Sequence, residues 1–167
     1  MQLTFFREKE LKFDIGQSSQ RLVLSRPVLR HFQKYQQKRA SLPEAGGQLF
    51  ARLSALPEVI IDHATGPRRS DFRTRTIYVP DRLAEQPEID YWHRKGLHYV
   101  GDWHTHPEPI PHPSRDDTES IRESFVKSKH TLHGFLLIIV GTAPFPNGLY
   151  VSLNNANSEL LLATTPA

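Results

Sequence analysis

Residues 99 to 117, with the sequence YVGDWHTHPEPIPHPSRDD, limit the local fold more than any other stretch of the chain. A short β-rich run leads into His104 and His106, and side chains two residues apart on a strand project from the same face. Pro107 pushes the residue before it away from the α region, so His106 is held in an extended conformation. Both imidazoles can therefore reach one point in space.

Four alternating prolines separate this strand from a helical pattern. Pro107, Pro109, Pro111 and Pro113 predict a stiff, extended connection without regular secondary structure. The helical pattern that follows places Asp117 in its first turn. Two strand residues and one helix-start residue are thus joined by a rigid connector.

His104, His106 and Asp117 form a candidate three-ligand metal site. Two neutral imidazoles and one carboxylate suit Zn²⁺, and three protein ligands leave the fourth tetrahedral position open, as in catalytic zinc sites. Spacing alone leaves alternatives, because an HxH pair occurs by chance in a chain with nine histidines and Ser114-x-x-Asp117 is also an ordinary capping box. His112 is a further candidate for the metal, although its flanking prolines favour a surface position.

The joint spacing resembles the motif of a known family. His104-x-His106, seven residues, Ser114, two residues and Asp117 match the HxHx(7)SxxD motif of the JAB/MPN (JAMM) zinc metallopeptidases. Glu44, followed by small residues and an aliphatic strand, resembles the glutamate element that this family carries upstream. The similarity runs from that glutamate to the strand near residue 140.

The resemblance implies a fold and a domain organisation. The JAB/MPN fold is an α/β (α+β) architecture in which a mixed, curved β-sheet is flanked by helices, and it is cytidine-deaminase-like. We therefore expect residues 1–167 to form a single JAB/MPN metallopeptidase domain, in keeping with a length that suits one domain.

The resemblance also implies an activity and roles for particular residues. The expected enzyme is a zinc metalloprotease of the JAMM type, a deubiquitinase-like isopeptidase that hydrolyses the bond after the C-terminal glycine of a ubiquitin-like protein, or of a protein tagged in a ubiquitin-like manner. His104, His106 and Asp117 would bind Zn²⁺. Glu44 would act as general base and acid on the metal-activated water, and Ser114 would donate to the oxyanion.

A narrower resemblance concerns the biological setting. The amino-acid sequence around the two histidines is similar to that of bacterial JAB deconjugating peptidases. Those peptidases are encoded beside E1- and E2-like proteins in antiphage operons with cyclic-oligonucleotide signalling. It implies a conjugated protein or ubiquitin-like substrate, E1- or E2-like operon partners and a role in antiviral defence. Deconjugation and precursor trimming both stay open, and a non-catalytic MPN scaffold that binds protein partners is the main alternative.

Composition excludes several other classes. The chain has no cysteine, which removes disulfides, Cys₄ zinc ribbons and thiol nucleophiles. The segment MQLTFFREKELKFDI has no apolar core of a signal peptide, and no apolar run approaches the roughly 18 residues of a membrane span. We therefore expect a cytoplasmic protein without membrane association.

Hydrophobic spacing predicts a mixed sheet of roughly six to eight strands with about three helices. Residues 2–15 suggest one or two edge strands, and Arg21–Leu24 a further one. Ser25 is a candidate N-cap for a helix that continues through KYQQKRA to residues 41–43. Residues 134–140 are apolar throughout, which is typical of a strand covered on both faces.

Arg68, Arg69, Arg73 and Arg75 cluster in the segment GPRRSDFRTRT of a chain with net charge +3. The cluster lacks interleaved aromatics beyond Phe72 and matches no nucleic-acid motif, so a solvated loop is the simpler interpretation. If the cluster is functional, an acidic protein partner is as plausible as a phosphate backbone. A nucleic-acid-associated protein is accordingly the third and least supported hypothesis.

Two further expectations concern the surroundings of the site. Metal-bound imidazoles usually have outer hydrogen-bond partners, and Asp102 and Asp116 are the candidates by position. Residues 66–96 and 142–149 are the candidate segments for gripping a protein substrate.

Overall fold

A mixed nine-stranded β-sheet frames the molecule, and a separate two-stranded ribbon lies beside it, in the computed structural model, which describes residues 9–166. The strands are β1 Leu11–Asp14, β2 Arg21–Leu24, β3 Gly46–Arg52, β4 Glu58–Ala64, β5 Phe72–Arg73, β6 Tyr78–Val79, β7 His98–Thr105, β8 Phe135–Val140, β9 Leu149–Asn154, β10 Glu159–Leu161 and β11 Ala163–Thr164. The helices are α1 Arg26–Tyr35, α2 Arg82–Arg94 and α3 Arg115–Lys127. Residues 2–8 of the predicted edge-strand segment lie outside the described residues.

The sheet curls until its two edges are joined by one segment. Its strand order is β10-β9-β8-β7-β3-β4-β2-β1-β11, with β2 parallel to β4, β7 parallel to β8 and the other pairs antiparallel. The two edge strands, β10 and β11, are separated in the chain by Leu162 alone. The buried Leu162 donates its backbone N–H to the Val151 carbonyl at 2.9 Å. The sheet is therefore a nearly closed barrel.

The number of strands exceeds the prediction of six to eight. The described residues form eleven strands, of which nine share the curled sheet and two form the ribbon. The additional strands are short: the ribbon strands and β11 have two residues each. Segments this short give too few alternating positions to stand out as strands in a sequence.

The interior strand β8 packs on both of its faces, as predicted. All six of its residues are buried. Leu136, Ile138 and Val140 join the larger core, which also contains the apolar face of α1. Phe135, Leu137 and Ile139 join a smaller core with Ile121 of α3. The alternation follows the two-residue period of a strand and fixes α3 against the sheet.

The first helix ends earlier than predicted, at Tyr35. Gln36 and Gln37 follow it and are both buried. The Gln36 amide donates to the carbonyl of Gly141 at 2.9 Å, and the Gln37 amide donates to the carbonyl of Arg75 at 2.8 Å. These bonds to distant loops compete with helix continuation. At the other end Ser25 occupies the N-cap position without a side-chain capping bond.

The arginine cluster is only in part the solvated loop that was predicted: Arg69 and Arg75 are exposed, whereas Arg68 and Arg73 are partly buried. Three of its four members bind other parts of the chain: Arg68 donates to Glu88 (2.8 Å), Arg73 to the Glu44 carbonyl (2.6 Å) and Arg75 to the Ala40 carbonyl (2.9 Å). Only Arg69 is left without such a contact among the described residues. The cluster therefore organises the connection between β4 and α2 internally.

The three helices have 10, 13 and 13 residues. Across residues 9–166, none of them has the length and apolar character needed to cross a bilayer.

Strand β7 approaches β8 unusually closely at Gly101. This glycine has φ +149°, and a Cβ placed on it would lie 2.0 Å from the Leu136 carbonyl oxygen. The opposite partner of Gly101 is Leu49 of β3, where the β3–β7 register shifts. Both an unfavourable φ and a backbone clash therefore oppose any side chain at this position.

We expect Gly101→Ala to lower the free energy of unfolding by about 3 kcal/mol or more, because the clash is with backbone and cannot be relieved by a rotamer change. Urea unfolding followed by circular dichroism measures the change. Gly96→Ala is the matched control, since Gly96 also has a positive φ (+82°) but has no atom within 4 Å of its added Cβ. Equal unfolding midpoints for the two variants would show that the close approach is unimportant.

Candidate metal centre and active site

The two histidines of the HxH pair meet at the end of β7. His104 is the penultimate residue of the strand and is 8% exposed, and His106 follows the strand end. Their Nε2 atoms lie 3.1 Å apart. The backbone N–H of His106 donates to the Val140 carbonyl at 3.0 Å, which continues the contact with β8 beyond the ladder. The predicted extended conformation is what places both rings on one side.

Asp117 reaches the histidines from the first turn of α3. Its Oδ1 lies 3.2 Å from Nε2 of His104, and its Oδ2 lies 3.3 Å from Nε2 of His106. Ser114 caps this helix: its hydroxyl accepts from the Asp117 N–H at 3.1 Å, while the Asp117 carboxylate accepts from the Ser114 N–H at 2.7 Å. The capping box and the contact with the histidines therefore coexist. The same reciprocal bonds aim the carboxylate.

One ligand atom from each of His104, His106 and Asp117 falls within a group whose members are at most 4.8 Å apart. Such a group can share one metal ion. His112, the competing candidate from the sequence, is exposed and is not a member of this group. The three predicted ligands are brought together, and the predicted competitor is not.

The proline loop is held in place by the segment that follows β8. Thr142 donates its N–H to the Glu108 carbonyl at 2.9 Å, and Ala143 donates to the Pro109 carbonyl at 3.2 Å. A Cβ added to Gly141 would lie 2.5 Å from the Pro109 carbonyl oxygen. The loop between the histidines and α3 is thus pinned against the sheet, which fixes the distance between the two parts of the site.

Glu44 lies on the same side of the sheet as the histidines. Gly46 is the cross-strand partner of His104, and one further step of the antiparallel register brings Glu44 opposite His106. Glu44 is only 5% exposed and lines the same cavity as the three candidate ligands. Burial raises the pKa of Glu44 to about 7; the positive charge of His106 opposes this rise, and the negative charge of Asp117 adds to it.

Thr105, the residue between the histidines, joins their strand to the segment that carries Glu44. Its N–H donates to the Ala45 carbonyl at 2.8 Å, and its hydroxyl accepts from the Ala45 N–H at 2.9 Å. The same hydroxyl donates to Gln37 Oε1 at 2.9 Å. All three residues are buried. Ala45, the residue after Glu44, is therefore hydrogen-bonded to Thr105, the residue between the two histidines.

The outer partner of His106 is Glu108, which the sequence analysis missed. His106 Nδ1 lies 3.2 Å from Glu108 Oε1, and because a carboxylate only accepts, the ring N–H donates there. The expected partners do not serve the imidazoles: Asp102 accepts from the Tyr99 hydroxyl at 2.9 Å, and Asp116 is exposed. The feature of the sequence that could have indicated this contact is the position of Glu108, two residues after His106.

A cavity of about 740 Å³ opens over these residues. Beyond the candidate ligands and Glu44, its lining includes Ser114, residues 76–80, and Arg82 and Glu85 at the start of α2. Asp102, Glu108, His112 and Asp116 also contribute to it. Of the two segments suggested for substrate contact, residues 66–96 therefore contribute to the wall. None of the cavity-lining residues comes from 142–149.

Comparisons with known proteins identify the family of this chain. The family model described as prokaryotic homologs of the JAB domain matches residues 26–152, which is most of the chain. This chain belongs to the prokaryotic JAB family. Among its relatives, a protein of Pseudomonas aeruginosa named CD-NTase/cGAS isopeptidase is 31% identical over 79% of this chain and 82% of its own length.

A protein of Escherichia coli with the same name, CD-NTase/cGAS isopeptidase, is 30% identical to this JAB-family chain. That match covers 59% of this chain and 65% of the relative, so the chain spans slightly less than two thirds of that protein. Among solved structures, protein DSY2949 from Desulfitobacterium hafniense aligns with a TM-score of 0.56 at 14% identity, covering 83% of this chain and 87% of that one. The structural likeness shows that the two chains share a fold. The match to the prokaryotic JAB family model identifies that fold as the expected JAB/MPN fold.

Electrostatics at the centre of this JAB domain favour an ionised aspartate. Burial alone would raise the pKa of Asp117, but hydrogen bonds from His104 and His106 hold it well below its ordinary value. Burial lowers the pKa of His106, and its contacts with Asp117 and Glu108 outweigh this effect and raise it. The ionised Asp117 carboxylate and the two imidazoles therefore face one position, and the negative charge of Asp117 favours a cation there.

We expect the Glu44 carboxyl to titrate near pH 7 in protein stripped of metal with a chelator, as followed by ¹³C NMR. Its folded pKa lies above the ordinary 4.5, so the folded state holds this proton more tightly. Its contribution to the free energy of unfolding is therefore fully present below pH 4.5 and is lost, by up to about 3 kcal/mol, as the pH rises through about 7. Glu44→Gln should remove this slope. A carboxyl that titrates near 4.5 would contradict the buried environment.

Proposed function

We propose that the protein is a zinc-dependent JAB-type isopeptidase that hydrolyses the amide bond joining a conjugated protein to its partner. The observation that supports this function best is the meeting of His104, His106 and Asp117 in one cavity with the buried Glu44. A structural metal site has no need of a fourth acidic group beside its ligands, whereas hydrolysis needs one to carry protons.

The donor set fits Zn²⁺. Ligand atoms around a tetrahedral zinc with bonds of about 2.0–2.1 Å lie about 3.3 Å apart. The Nε2 atoms of His104 and His106 lie 3.1 Å apart, close to that value. Each of them also lies near one oxygen of the Asp117 carboxylate, Oδ1 at 3.2 Å from His104 and Oδ2 at 3.3 Å from His106. The three residues would hold the ion and leave one position for water. Zinc, when bound, supplies a Lewis acid and makes water acidic enough to be a nucleophile near neutral pH.

Glu44 carries the proton in the proposed reaction. Burial raises the pKa of the Glu44 carboxyl above its ordinary value, which makes the carboxylate a better acceptor for a proton from water. The expelled lysine amine has a conjugate acid with a pKa of about 10.4, so the nitrogen must be protonated as it leaves. Glu44 therefore takes the proton from the attacking water and gives it to the departing nitrogen.

Ser114 can stabilise the negative oxygen that forms at the carbonyl under attack. Its oxygen already accepts the Asp117 N–H, which leaves the hydroxyl hydrogen to donate elsewhere. Ser114 lines the cavity beside the candidate ligands. The residue would thus hold Asp117 and donate to the oxyanion, and loss of such a donor typically costs about 10²–10³ in rate.

The substrate is a protein carrying a ubiquitin-like or similarly formed conjugate. The relatives named CD-NTase/cGAS isopeptidase support a conjugated CD-NTase as the substrate of this chain. The cavity wall at residues 76–80 would contact the extended end of the tagged protein. We further propose that the protein acts in the cytoplasm, in antiviral defence, beside E1- and E2-like partners that form the conjugate.

We expect the purified protein to contain about one zinc per chain and to cleave a CD-NTase from the same genome that carries a reporter protein fused to its C-terminal residue. Glu44→Gln should retain the zinc and lose at least about 10²-fold in cleavage rate, because proton transfer is lost while the ligands remain. Metal analysis by mass spectrometry and gel-based cleavage measure the two properties. A folded protein that stays metal-free after zinc is added would favour a non-catalytic scaffold, and full activity of Glu44→Gln would overturn the mechanism.

We expect Glu108→Gln to weaken zinc binding by about 10–100-fold, because Glu108 orients the His106 ring and strengthens it as a ligand. Competition with a chromophoric chelator measures the affinity. Asp116→Asn is the matched control, since Asp116 is an exposed acidic residue next to Asp117 and should bind zinc as the wild type does. The reverse ranking of the two variants would assign the outer contact to Asp116 instead.

A further inference from the structure

The loop that delivers Glu44 is hydrogen-bonded to the turn that connects the two strands of the ribbon. The Gln37 amide donates to the Arg75 carbonyl at 2.8 Å, and the Arg75 guanidinium donates to the Ala40 carbonyl at 2.9 Å. The Glu44 N–H donates to the Thr74 carbonyl at 2.8 Å. Residues 37–44 and 73–75 are therefore joined by several hydrogen bonds, although about thirty positions separate them in the chain.

Arg73 makes the contact at Glu44 itself. Its Nε donates to the Glu44 carbonyl oxygen at 2.6 Å, and the neighbouring Thr74 carbonyl accepts the Glu44 N–H. Both polar groups of the Glu44 backbone are thus bound by two consecutive residues of the ribbon. On the other side, the next residue, Ala45, is bound by Thr105.

The ribbon also packs directly against the strand that follows Glu44. A Cβ added to Gly46 would lie 2.4 Å from Cε1 of Tyr78. Tyr78 is the cross-strand partner of Arg73, and residues 76–79 line the cavity. The same short ribbon is therefore both a wall of the cavity and a support for the buried carboxylate.

We propose that Arg73 is a positioning residue that sets the direction of the Glu44 carboxylate through its backbone carbonyl. The inference rests on the proposed function, in which Glu44 carries the proton. Arg73 need not touch substrate for this role. A guanidinium suits it, because the donor Nε–H sits within a rigid planar group and holds the carbonyl in one direction. Loss of the contact frees the Glu44 peptide on its ribbon side while the bonds from Thr105 remain.

The test compares Arg73→Ala, Arg73→Lys and the control Arg69→Ala. Arg69 belongs to the same cluster and carries the same charge, but it is exposed. We expect Arg73→Ala to lower kcat by about 10–100-fold on the CD-NTase fusion, with KM within about twofold, because a small misplacement of a catalytic group has effects of this size. Arg73→Lys should recover part of the loss, and Arg69→Ala should match the wild type. Zinc content should stay at the wild-type level throughout.

Amide hydrogen exchange by NMR supplies a readout that does not depend on cleavage. In Arg73→Ala the Glu44 amide should lose protection by about tenfold or more, since its bond to Thr74 is no longer reinforced, while the amide of Leu49 keeps its protection. Wild-type kcat in Arg73→Ala would overturn the proposal, and so would a raised KM at unchanged kcat, which would mean a substrate contact. If Arg73→Ala does not fold, Arg73→Met takes its place, because methionine keeps a long side chain but has no donor. A Glu44 amide as protected as in the wild type, together with wild-type kcat, would then overturn the role. If the wild type does not cleave the fusion, the proposed function is contradicted. The contact between Arg73 and the Glu44 carbonyl is then tested by hydrogen exchange at the Glu44 amide alone.

Discussion

The antiparallel pairing of β3 with β7 is the constraint on which the rest of the site depends. It sets Gly46 opposite His104 and Glu44 opposite His106. A slip of one residue would turn the carboxylate to the opposite face from the imidazoles, since side chains alternate along a strand. The bonds between Thr105 and Ala45 extend this register beyond the last ladder pair. The site therefore exists because one register is held at the end of two strands.

The features that could be predicted from the sequence are local ones. The extended histidine pair, the rigid proline connector and the capping box all lie within fourteen consecutive residues, from His104 to Asp117. Their geometry follows from backbone preferences that need no knowledge of the fold. Glu108 lies in this stretch too and was missed, because the bend of the proline loop that turns its carboxylate back to His106 depends on the loop's contact with residues 141–143.

The features that could not be predicted depend on partners far away in the chain. Gln36 and Gln37 continue a helical pattern, yet they leave the helix to bind carbonyls of Gly141 and Arg75. The arginine cluster resembles a solvated or ligand-binding surface by composition, but backbone carbonyls and carboxylates elsewhere in the fold use most of it. The identity of a polar side chain does not show whether water or a buried carbonyl will accept its hydrogen bonds. The tertiary structure determines which acceptor is used.

The position of Glu44 explains why so many of these long-range contacts converge on residues 37–45. Its carboxylate is nearly inaccessible to water and lies near the charge of Asp117, and both effects raise its pKa. A flexible chain would relieve this cost by swinging the side chain toward solvent, where its charge is stabilised. Hydrogen bonds from the ribbon on one side and from Thr105 on the other oppose the backbone movement that this would need. The surrounding backbone thus keeps the Glu44 carboxyl buried, and this burial raises its pKa. The side chains of Arg73 and Gln37 contribute through their hydrogen bonds to backbone carbonyls.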